Sequence, residues 1–337
     1  MSLHEPFMQR ALALARRGEG LTRPNPPVGA VLVQNGKIIA EGFHKKAGLD
    51  HAERACLKNL KPKAQSLRSS TLYVSLEPCS TTGRTPPCTD LILERGIKKV
   101  VIGAKDPNPA HSGRGIRILR RAGVEVITGV CRAEAEALIA PFAKRILTGM
   151  PYVTLKLAST IDGRIADASG KSKWITGPQA RVKVQALRRS ADAIMVGAGT
   201  VRVDNPSLLP RPSKGRNPWR VIIGSNVPAN AKVFCDEAAE WTLVMNGPLK
   251  TILEELGRRG VMHVLCEGGG ELAGSLMRAG LVDEFALFIA PAVLGGGGVP
   301  MFGKMGWPLT KMPLLHFQTL EKCGKDVFIR ANPVRRR

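Results

Sequence analysis

The segment 71–88 reads TLYVSLEPCSTTGRTPPC, and it combines a strand, a turn and two cysteines. Residues 71–75 form an apolar run that is typical of a short buried strand. Pro86-Pro87 predicts the beginning of a helix, because proline fits the first helical turn, where its missing N–H is not needed. Cys79 therefore follows the predicted strand, and Cys88 lies at the predicted helix start.

Strands and helices alternate outward from this segment, which predicts α/β architecture. Predicted strands of the first half cover 28–33, 71–75, 100–102 and 124–127, and its predicted helices cover 5–17, 51–60, 87–95, 115–122 and 132–147. The turn-like Thr148-Gly149-Met150-Pro151 predicts a boundary between a domain of residues 1–148 and one of residues 150–337. Predicted strands of the second half cover 152–157, 193–196, 220–223, 242–245 and 261–266, and its predicted helices cover 178–189, 249–258 and 271–279. Segments 285–290 and 326–330 are predicted as later strands with antiparallel pairing.

The composition excludes several classes of protein. With 337 residues and 44% hydrophobic residues, the chain is long and apolar enough for two packed cores. No apolar run approaches the roughly 20 residues that a membrane-spanning helix needs. The first ten residues lack the apolar core of a secretory signal. Seven cysteines, an odd number, fit a reducing compartment better than a disulfide framework, so we expect a cytoplasmic protein.

The charge is strongly positive. Lys plus Arg is 50 and Asp plus Glu is 27, which gives a net charge of +23. Such a charge is typical of nucleic-acid binders, but it also attracts small anionic substrates. The basic residues are spread along the chain and aromatic residues make up only 4%, so we expect a small-molecule substrate and no nucleic-acid partner.

A candidate metal site combines His51, Cys79 and Cys88. One imidazole and two thiolates suit zinc, with a fourth position left for water, as in catalytic zinc sites. A helix start favours the thiolate of Cys88, and Glu53 lies two residues after the histidine. The alternative is a helix capping box of Asp50 and Glu53 beside two buried structural thiols. The combination of the histidine with both cysteines favours the metal site.

His-x-Glu followed by Pro-Cys and a second Cys is typical of zinc deaminases, in which the glutamate is the general acid and base and not a ligand. The two cysteines are usually two residues apart, and here the gap is eight residues. The segment 77–88, EPCSTTGRTPPC, closely resembles the deaminase half of the bifunctional riboflavin-biosynthesis deaminase/reductase family. Further similar segments are RPNPPVG at 23–29, DPNP at 106–109 and GRG at 113–115.

The resemblance implies a cytidine-deaminase-like three-layer α/β domain. It implies zinc on His51, Cys79 and Cys88, with Glu53 as the catalytic residue. It also implies substrate contacts at Asn25, Arg84, Asp106 and Asn108. Two positions depart from the family: Thr81 stands where histidine is frequent, and Asp50 stands where proline is common. These departures affect the surroundings of the substrate and leave the ligands intact.

The second half carries a glycine-rich turn, EGGG at 267–270, between a predicted strand and a predicted helix. Backbone N–H groups at such a helix start can hold a pyrophosphate, although a tight turn without a ligand explains the glycines equally well. The segments KLASTIDGR at 156–164, WITGP at 174–178, GAGT at 197–200 and DNPSL at 204–208 resemble the reductase half of the same family.

This second resemblance implies a dihydrofolate-reductase-like α/β domain that uses NADPH. The implied cofactor contacts are Ala158, Trp174, Thr200, Asp204, Ser225, Gly269, Gly270, Glu271, Leu272, Ala273, Gly274 and Ser275. The implied substrate contacts are Ser172, Arg188, Leu208, Arg211 and Glu267. The two arginines suit a phosphate, since a planar guanidinium binds it with two hydrogen bonds.

The family likeness implies two consecutive reactions. The first is the zinc-dependent hydrolytic deamination of 2,5-diamino-6-(ribosylamino)pyrimidinone 5'-phosphate, and the second is the reduction of the ribosyl group to ribityl by NADPH. A homo-oligomer, dimer or tetramer, is expected by likeness. Lys156 and Asp204 are candidate proton donors for the reduction by chemical type only. The alternative function is a nucleic-acid-editing zinc deaminase with a non-catalytic second domain.

Overall fold

The computed structural model describes residues 3–60, 66–82, 86–213 and 216–334. The chain divides into two compact units, Met1–Gly149 and Met150–Arg337. Each unit has a central sheet with helices packed against it. Within the described ranges, no helix is both long and apolar enough to cross a membrane.

The first unit contains a five-stranded sheet in the order β2-β1-β3-β4-β5. Its strands are β1 (Gly29–Gln34), β2 (Lys37–Phe43), β3 (Thr71–Leu76), β4 (Lys99–Ala104) and β5 (Glu125–Thr128). Strand β1 is antiparallel to both β2 and β3, whereas β3, β4 and β5 are parallel. Parallel strands end at the same edge of a sheet, so the segments after β3 and β4 lie side by side.

Strand β2 is absent from the sequence prediction. It forms a hairpin with β1 through Asn35-Gly36, and both residues have left-handed backbone, with φ of 50° and 72°. Asn-Gly is the preferred dipeptide for such a turn and could have revealed the hairpin. The strand begins with exposed residues and lacks a continuous apolar run, so the apolar pattern does not predict it.

Helices cover both faces of this sheet and make three layers. They are α1 (Glu5–Arg16), α2 (Ala52–Lys58), α3 (Cys88–Glu94), α4 (Arg114–Arg121) and α5 (Arg132–Thr148). One core lies between the sheet and α1 with α5, and a second core lies on the side of α2, α3 and α4. A Cβ at Gly42 would come within 2.2 Å of the Cys56 nitrogen, so only glycine lets α2 pack this closely on β2.

The second unit is built on an eight-stranded sheet in the order β10-β9-β8-β11-β6-β12-β15-β14. Its strands are β6 (Tyr152–Thr160), β8 (Ala193–Gly197), β9 (Trp219–Ile223), β10 (Thr242–Met245), β11 (His263–Cys266), β12 (Glu284–Ala290), β14 (Leu315–Cys323) and β15 (Asp326–Pro333). A separate small sheet pairs β7 (Arg164–Ala166) with β13 (Val299–Pro300). The first six strands of the sheet order are parallel, and β15 and β14 are antiparallel to their neighbours.

Two details of this sheet differ from the prediction. The segment predicted at 285–290 is parallel to β6 and antiparallel only to β15, because it continues the parallel part of the sheet before the direction changes. Strand β14 was not predicted, since it is exposed along nearly its whole length and therefore lacks an apolar pattern.

Helices again lie on both faces of the sheet. They are α6 (Pro178–Ser190), α7 (Ala198–Asp204), α8 (Lys232–Cys235), α9 (Leu249–Arg258) and α10 (Gly270–Arg278). Buried side chains of α9 and α10 share the main core with the sheet, and those of α7 belong to a separate core. Helices α7 and α10 begin directly after β8 and β11, at the carboxyl edge of the parallel strands. In open parallel sheets this edge is where ligands bind.

Candidate metal centre and nucleotide cavity

Three side chains of the first unit meet beside the sheet. His51 precedes α2 in extended conformation, Cys79 follows β3, and Cys88 is the first residue of α3. The Nδ1 atom of His51 lies 3.4 Å from the Cys79 sulfur and 3.6 Å from the Cys88 sulfur. The three candidate ligand atoms all lie within 4.8 Å of one another.

These separations fit zinc. With bonds of about 2.3 Å to sulfur and 2.0–2.1 Å to nitrogen, a tetrahedral ion places its sulfur and nitrogen ligands about 3.6 Å apart. The protein supplies one nitrogen and two sulfurs, the donors that zinc prefers, and leaves a fourth position for water. Hydrogen bonding from the Cys88 thiol, followed by interaction with His51, lowers the pKa of Cys79. The Cys79 sulfur is therefore prepared to bind a cation as a thiolate, whereas the hydrogen bond to Cys79, followed by burial, raises the pKa of Cys88.

Glu53 lies beside this donor set. Its side chain is 3% exposed and its carboxyl contacts the thiol of Cys88. Burial, followed by the negative charge of Cys79, raises the pKa of Glu53 to about 7. A carboxyl with such a pKa can both accept and release a proton near neutrality, as a general acid and base must.

The capping-box alternative is not what the structure contains. His51, and not Asp50, occupies the position before the first helical residue of α2, and no side chain caps the helix start. Asp50 instead pairs with Lys58, at 2.6 Å between Oδ2 and Nζ. Its backbone carbonyl accepts a hydrogen bond from His44.

His44, which the sequence does not indicate as a site residue, contacts Asn25 next to the candidate metal centre. The Nε2 atom of His44 lies 3.0 Å from the Asn25 Nδ2, and the His44 ring lies 5.4 Å from the His51 ring. Burial lowers the pKa of His44. A neutral ring donates from Nδ1 to the Asp50 carbonyl and accepts from the amide of Asn25, which orients this amide. His44 has no characteristic spacing from the ligands, so only the three-dimensional structure reveals its role.

Asp106 follows β4, and it lines a small cavity of about 40 Å³ together with Cys79, Thr81 and His111. Burial raises the pKa of Asp106. Its carboxylate accepts a hydrogen bond from the Asn108 backbone, and the Asn108 side chain accepts one from Ala110. Arg84, the remaining predicted substrate contact of this half, lies outside the described residues.

The loop that carries Asp106 is held by Glu77, whose role the sequence did not indicate. The buried carboxylate accepts hydrogen bonds from four backbone amides, those of Asp106, Gly113, Gly115 and Ile116, at 2.9–3.3 Å. A Cβ at Gly115 would come within 2.3 Å of the Pro78 carbonyl, so glycine is required there. Glu77 therefore ties the start of α4 and the Asp106 loop to the strand that presents Cys79.

Replacement of Glu77 with glutamine should loosen this loop. A glutamine amide has one acceptor oxygen, and its NH₂ group would face backbone N–H groups that also need an acceptor. Because hydrogen bonds to a charged group are each worth about 1.5–3 kcal/mol, we expect KM for the pyrimidine to rise at least about tenfold. The zinc content should stay unchanged. The variant Glu77→Asp keeps the charge, so its KM should lie between those of the wild type and Glu77→Gln.

Steady-state ammonia release and metal analysis of the same samples check this prediction. An unchanged KM together with lower zinc content would show that Glu77 acts on the metal centre through the neighbouring Cys79 and not on the substrate loop.

The second unit contains a cavity of about 1520 Å³ at the carboxyl edge of its parallel strands. Its size exceeds the usual range of about 300–1,000 Å³ for a single ligand site, so it has room for more than one small ligand. Among the described residues, a Cβ at Gly197 would meet nothing within 4 Å, and one at Gly269 would meet only the Thr200 hydroxyl at 3.9 Å. The glycines thus leave open backbone for a bound phosphate at the start of α10.

Most predicted contacts of the reductase half line this cavity. They are Ala158, Ser172, Trp174, Arg188, Thr200, Asp204, Leu208, Arg211, Glu267, Gly269, Gly270, Glu271 and Leu272. Ser225, Ala273, Gly274 and Ser275 are not among the lining residues. Ala273 and Gly274 are buried in the packing of α10, and the Ser275 hydroxyl bonds to the Glu271 carbonyl. Their contact with a cofactor stays a prediction.

Arg188 and Glu267 form a bidentate ion pair within the cavity. The Arg188 Nε and Nη2 atoms lie 2.7 and 2.9 Å from the two carboxylate oxygens, and the side chains are only 13% and 8% exposed. Burial alone would raise the pKa of Glu267, but the guanidinium holds it below its usual range. Arg188 also bonds to the Leu209 carbonyl. Leu208 itself has left-handed backbone, with φ of 57°, and its side chain packs into the core.

Lys156 and Asp204, the two candidate proton donors, differ in their surroundings. Lys156 is partly buried on β6 and lines the cavity, and burial lowers its pKa while the charge of Glu267 opposes that shift. Asp204 pairs with Lys173, at 3.1 Å between Oδ1 and Nζ, and Lys173 is half exposed. Lys156 is therefore a partly buried cation of the cavity, whereas Asp204 belongs to an ion pair in contact with solvent.

Comparison with known proteins places both halves. Residues 151–329 match the RibD C-terminal domain, and residues 1–104 match the cytidine and deoxycytidylate deaminase zinc-binding region. The riboflavin biosynthesis protein RibD of Aquifex aeolicus is 42% identical over 349 residues, which cover 96% of either chain. RibD of Escherichia coli is 39% identical over 360 residues, which cover 96% of this chain and 97% of the relative.

Solved structures are similar to this chain over the same two halves. A diaminohydroxyphosphoribosylaminopyrimidine deaminase/5-amino-6-(5-phosphoribosylamino)uracil reductase from Thermotoga maritima has a TM-score of 0.90 and 39% identity, with 98% of this chain and 99% of that chain covered. RibD from Acinetobacter baumannii has a TM-score of 0.87 and 37% identity, with 99% of each chain covered.

Both fold predictions are confirmed by these matches, as are the two cofactors, zinc and NADPH. The alternative of a nucleic-acid-editing deaminase with a non-catalytic second domain is disfavoured, because the similarity extends over both halves. The substrate is a small molecule. The chain therefore belongs to the RibD family of riboflavin biosynthesis proteins, and it is a bifunctional enzyme with a zinc-dependent deaminase and an NADPH-dependent reductase.

Proposed function

We propose that the first unit deaminates the pyrimidine with His51, Cys79 and Cys88 as zinc ligands and Glu53 as the general acid and base. The observation that carries this assignment is the convergence of one nitrogen and two sulfurs at 3.4 and 3.6 Å beside a buried carboxyl. A zinc ion at such a site lowers the pKa of its water to about 7.

Glu53 accepts the proton of the attacking water and delivers it to the departing amino group. The raised pKa of this carboxyl, about 7, supports a role that needs both protonation states. Asn25 binds the pyrimidine edge through the amide that His44 orients. Asp106, Asn108 and Arg84 bind the ribose phosphate side, and the Asp106 loop depends on Glu77 for its position.

For the second unit, we assign the reduction to the large cavity. Bound NADPH would supply the hydride that reduces C1′ of the ribosyl group. The backbone at Gly269 and Gly270 would hold the pyrophosphate, while Ala158, Trp174, Thr200 and Asp204 would line the cofactor. Of the remaining predicted cofactor contacts, Glu271 and Leu272 also line the cavity, and Ser225, Ala273, Gly274 and Ser275 lie beyond its lining.

Substrate binding in this cavity is assigned to Ser172, Arg188, Leu208, Arg211 and Glu267. The pairing of Arg188 with Glu267 supports a role in shaping the site, and the exposed Arg211 is the better partner for the phosphate. Because the Leu208 side chain packs into the core, its contact would come from the backbone.

We propose Lys156 as the proton donor of the reduction. Opening of the ribosyl ring leaves a ring oxygen that needs a proton, and the partly buried ammonium of Lys156 can donate it. Asp204 is a weaker candidate, because its carboxylate already pairs with Lys173.

We further propose that the enzyme acts in the cytoplasm as a homo-oligomer, dimer or tetramer, without a nucleic-acid partner. All seven cysteines are free thiols, which supports a reducing compartment. The exposed edge strand β14 presents Phe317 and Leu320, which are 59% and 65% exposed, and such an edge favours pairing with a second copy. Sedimentation velocity distinguishes a monomer from these oligomers.

The zinc assignment is tested with Cys88→Ser, and Cys235→Ser, which replaces an exposed cysteine of the other unit, serves as the control. We expect the wild type and the control to bind one zinc and to release ammonia from the diaminopyrimidine substrate. Cys88→Ser should lose both properties, because a serine hydroxyl is a much poorer zinc ligand than a cysteine thiolate. Full zinc content and deamination in Cys88→Ser would refute the assignment, and NADPH oxidation on the deaminated product reports whether the second unit is intact.

A further inference from the structure

Arg202 lies on α7 between Thr200 and Val203, which line the nucleotide cavity, although Arg202 itself is not a lining residue and the family resemblance gives it no role. It belongs to α7, which begins after β8, and its Nη1 atom donates to the carbonyls of Ser225 and Asn226 at 3.2 and 3.1 Å. Those two residues form the turn after β9, and Asn226 has left-handed backbone with φ of 58°. The guanidinium therefore lies over the carboxyl ends of β8 and β9.

We propose that Arg202 binds the 2′-phosphate of NADPH and makes the reductase prefer NADPH to NADH. This inference rests on the proposed cofactor site. It adds a residue that distinguishes the two cofactors by their 2′ substituent.

The order of the parallel strands places Arg202 on the side of the sheet toward which the cofactor would extend. The pyrophosphate site at Gly269 and Gly270 follows β11, and β8 and β9 are the next two strands in that direction. At about 4.8 Å between neighbouring strands, the end of β9 lies about 10 Å from the end of β11. The cavity itself reaches Gly197, Gly199 and Thr200 at the start of α7. The adenosine half of the cofactor would therefore pass over α7 toward the turn after β9.

The charge at this turn suits a phosphate. In nucleotide-binding α/β folds, an acidic residue after a neighbouring strand binds the ribose 2′-hydroxyl of NAD, whereas an arginine there accommodates the 2′-phosphate of NADP. The segment 224–231 reads GSNVPANA and contains no acidic residue. Ser225 adds a hydroxyl and Asn226 an amide, which are both good partners for phosphate oxygens.

The guanidinium also keeps hydrogen-bonding capacity for a ligand. A guanidinium has five N–H donors in a planar fork, and the two bonds to the turn use Nη1. Among the described residues, the hydrogen bonds of this side chain all come from that atom. The Nη2 atom lies close to Gly199, where a Cβ would meet it at 3.8 Å. The backbone bonds thus hold the fork in place, and its other edge can form two parallel bonds to a phosphate.

A matched pair of nucleotides tests the inference. The probes are 2′,5′-ADP and 5′-AMP, which differ only in the 2′-phosphate, and their affinities for the full-length enzyme are measured by titration calorimetry. In Arg202→Ala we expect 2′,5′-ADP to bind about 10- to 100-fold more weakly, because charge-assisted bonds are lost, and 5′-AMP to change by less than about twofold. The affinity of Arg202→Lys for 2′,5′-ADP should lie between those of the wild type and Arg202→Ala, since lysine keeps the charge but lacks the planar fork of donors.

Arg259→Ala is the control for loss of one positive charge. Arg259 directly follows the last residue of α9 and pairs with Glu255, and this variant should bind both probes as the wild type does. Equal weakening of both probes in Arg202→Ala, or unchanged binding of 2′,5′-ADP, would overturn the inference. If the wild type binds neither probe nor NADPH, the proposed cofactor site itself fails. If the wild type binds NADPH and Arg202→Ala binds it equally well, only the role of Arg202 fails.

Discussion

Glu53→Gln should release ammonia about 10²- to 10⁴-fold more slowly than the wild type, the range by which a positioned general acid and base accelerates a reaction. Glutamine has nearly the same shape and still fills the buried position beside Cys88, but it cannot accept a proton from water. Since the glutamate is not one of the three converging ligands, the variant should keep its zinc.

Three measurements on one preparation separate the possible outcomes. Metal analysis should give one zinc per chain, ammonia release should be lost, and NADPH oxidation on the deaminated product should equal that of the wild type. The reductase activity is an internal control, because the change lies in the other unit. Ammonia release at the wild-type rate would exclude Glu53 as the proton carrier. Loss of zinc from the variant would indicate that Glu53 is itself a zinc ligand.

Lys156→Met should lower the rate of NADPH oxidation about 10²- to 10³-fold, the effect found when a single group that stabilises charge in a transition state is removed. Methionine preserves most of the length of the side chain and fills the same partly buried position on β6. It removes the ammonium that lies near the Arg188–Glu267 pair, so the ring oxygen of the substrate loses its proton donor.

The role of Lys156 also predicts how the rate of reduction by the wild type depends on pH. Burial lowers the pKa of Lys156 below 10.5, while the charge of Glu267 partly opposes the shift. The active form is the protonated one, so reduction should be fast below this pKa and should decline as the pH rises through it. The decline should begin at a lower pH than for an ordinary lysine, and Lys156→Met should lack it.

Lys173→Met is the matched control for this experiment. Lys173 lines the same cavity but is half exposed and pairs with Asp204, so its loss should affect the rate much less. A larger effect of Lys173→Met than of Lys156→Met would transfer the proton-donor role to the Asp204 pair. Ammonia release should stay unchanged in both variants.

The candidate metal ligands and most of the order of elements could be predicted from the sequence, because they depend on local patterns. His51, Cys79 and Cys88 each lie next to a predicted strand end or helix start, and the structure brings their ligand atoms together. Apolar runs of the inner strands gave correct positions, since strands covered on both faces are apolar throughout. Exposed strands such as β2 and β14 have no such pattern, and they were missed for that reason.

The sequence by itself determined which chemistry is present: the zinc donors, the glutamate beside them and the glycine turn that precedes α10. Only the tertiary structure decided how these groups are supported. The four amides on Glu77, the bond between His44 and Asn25, and the position of Arg202 at the turn after β9 join residues that are far apart in the chain. Periodicity and spacing describe neighbours along the chain, whereas such contacts depend on the order and direction of strands in a completed sheet.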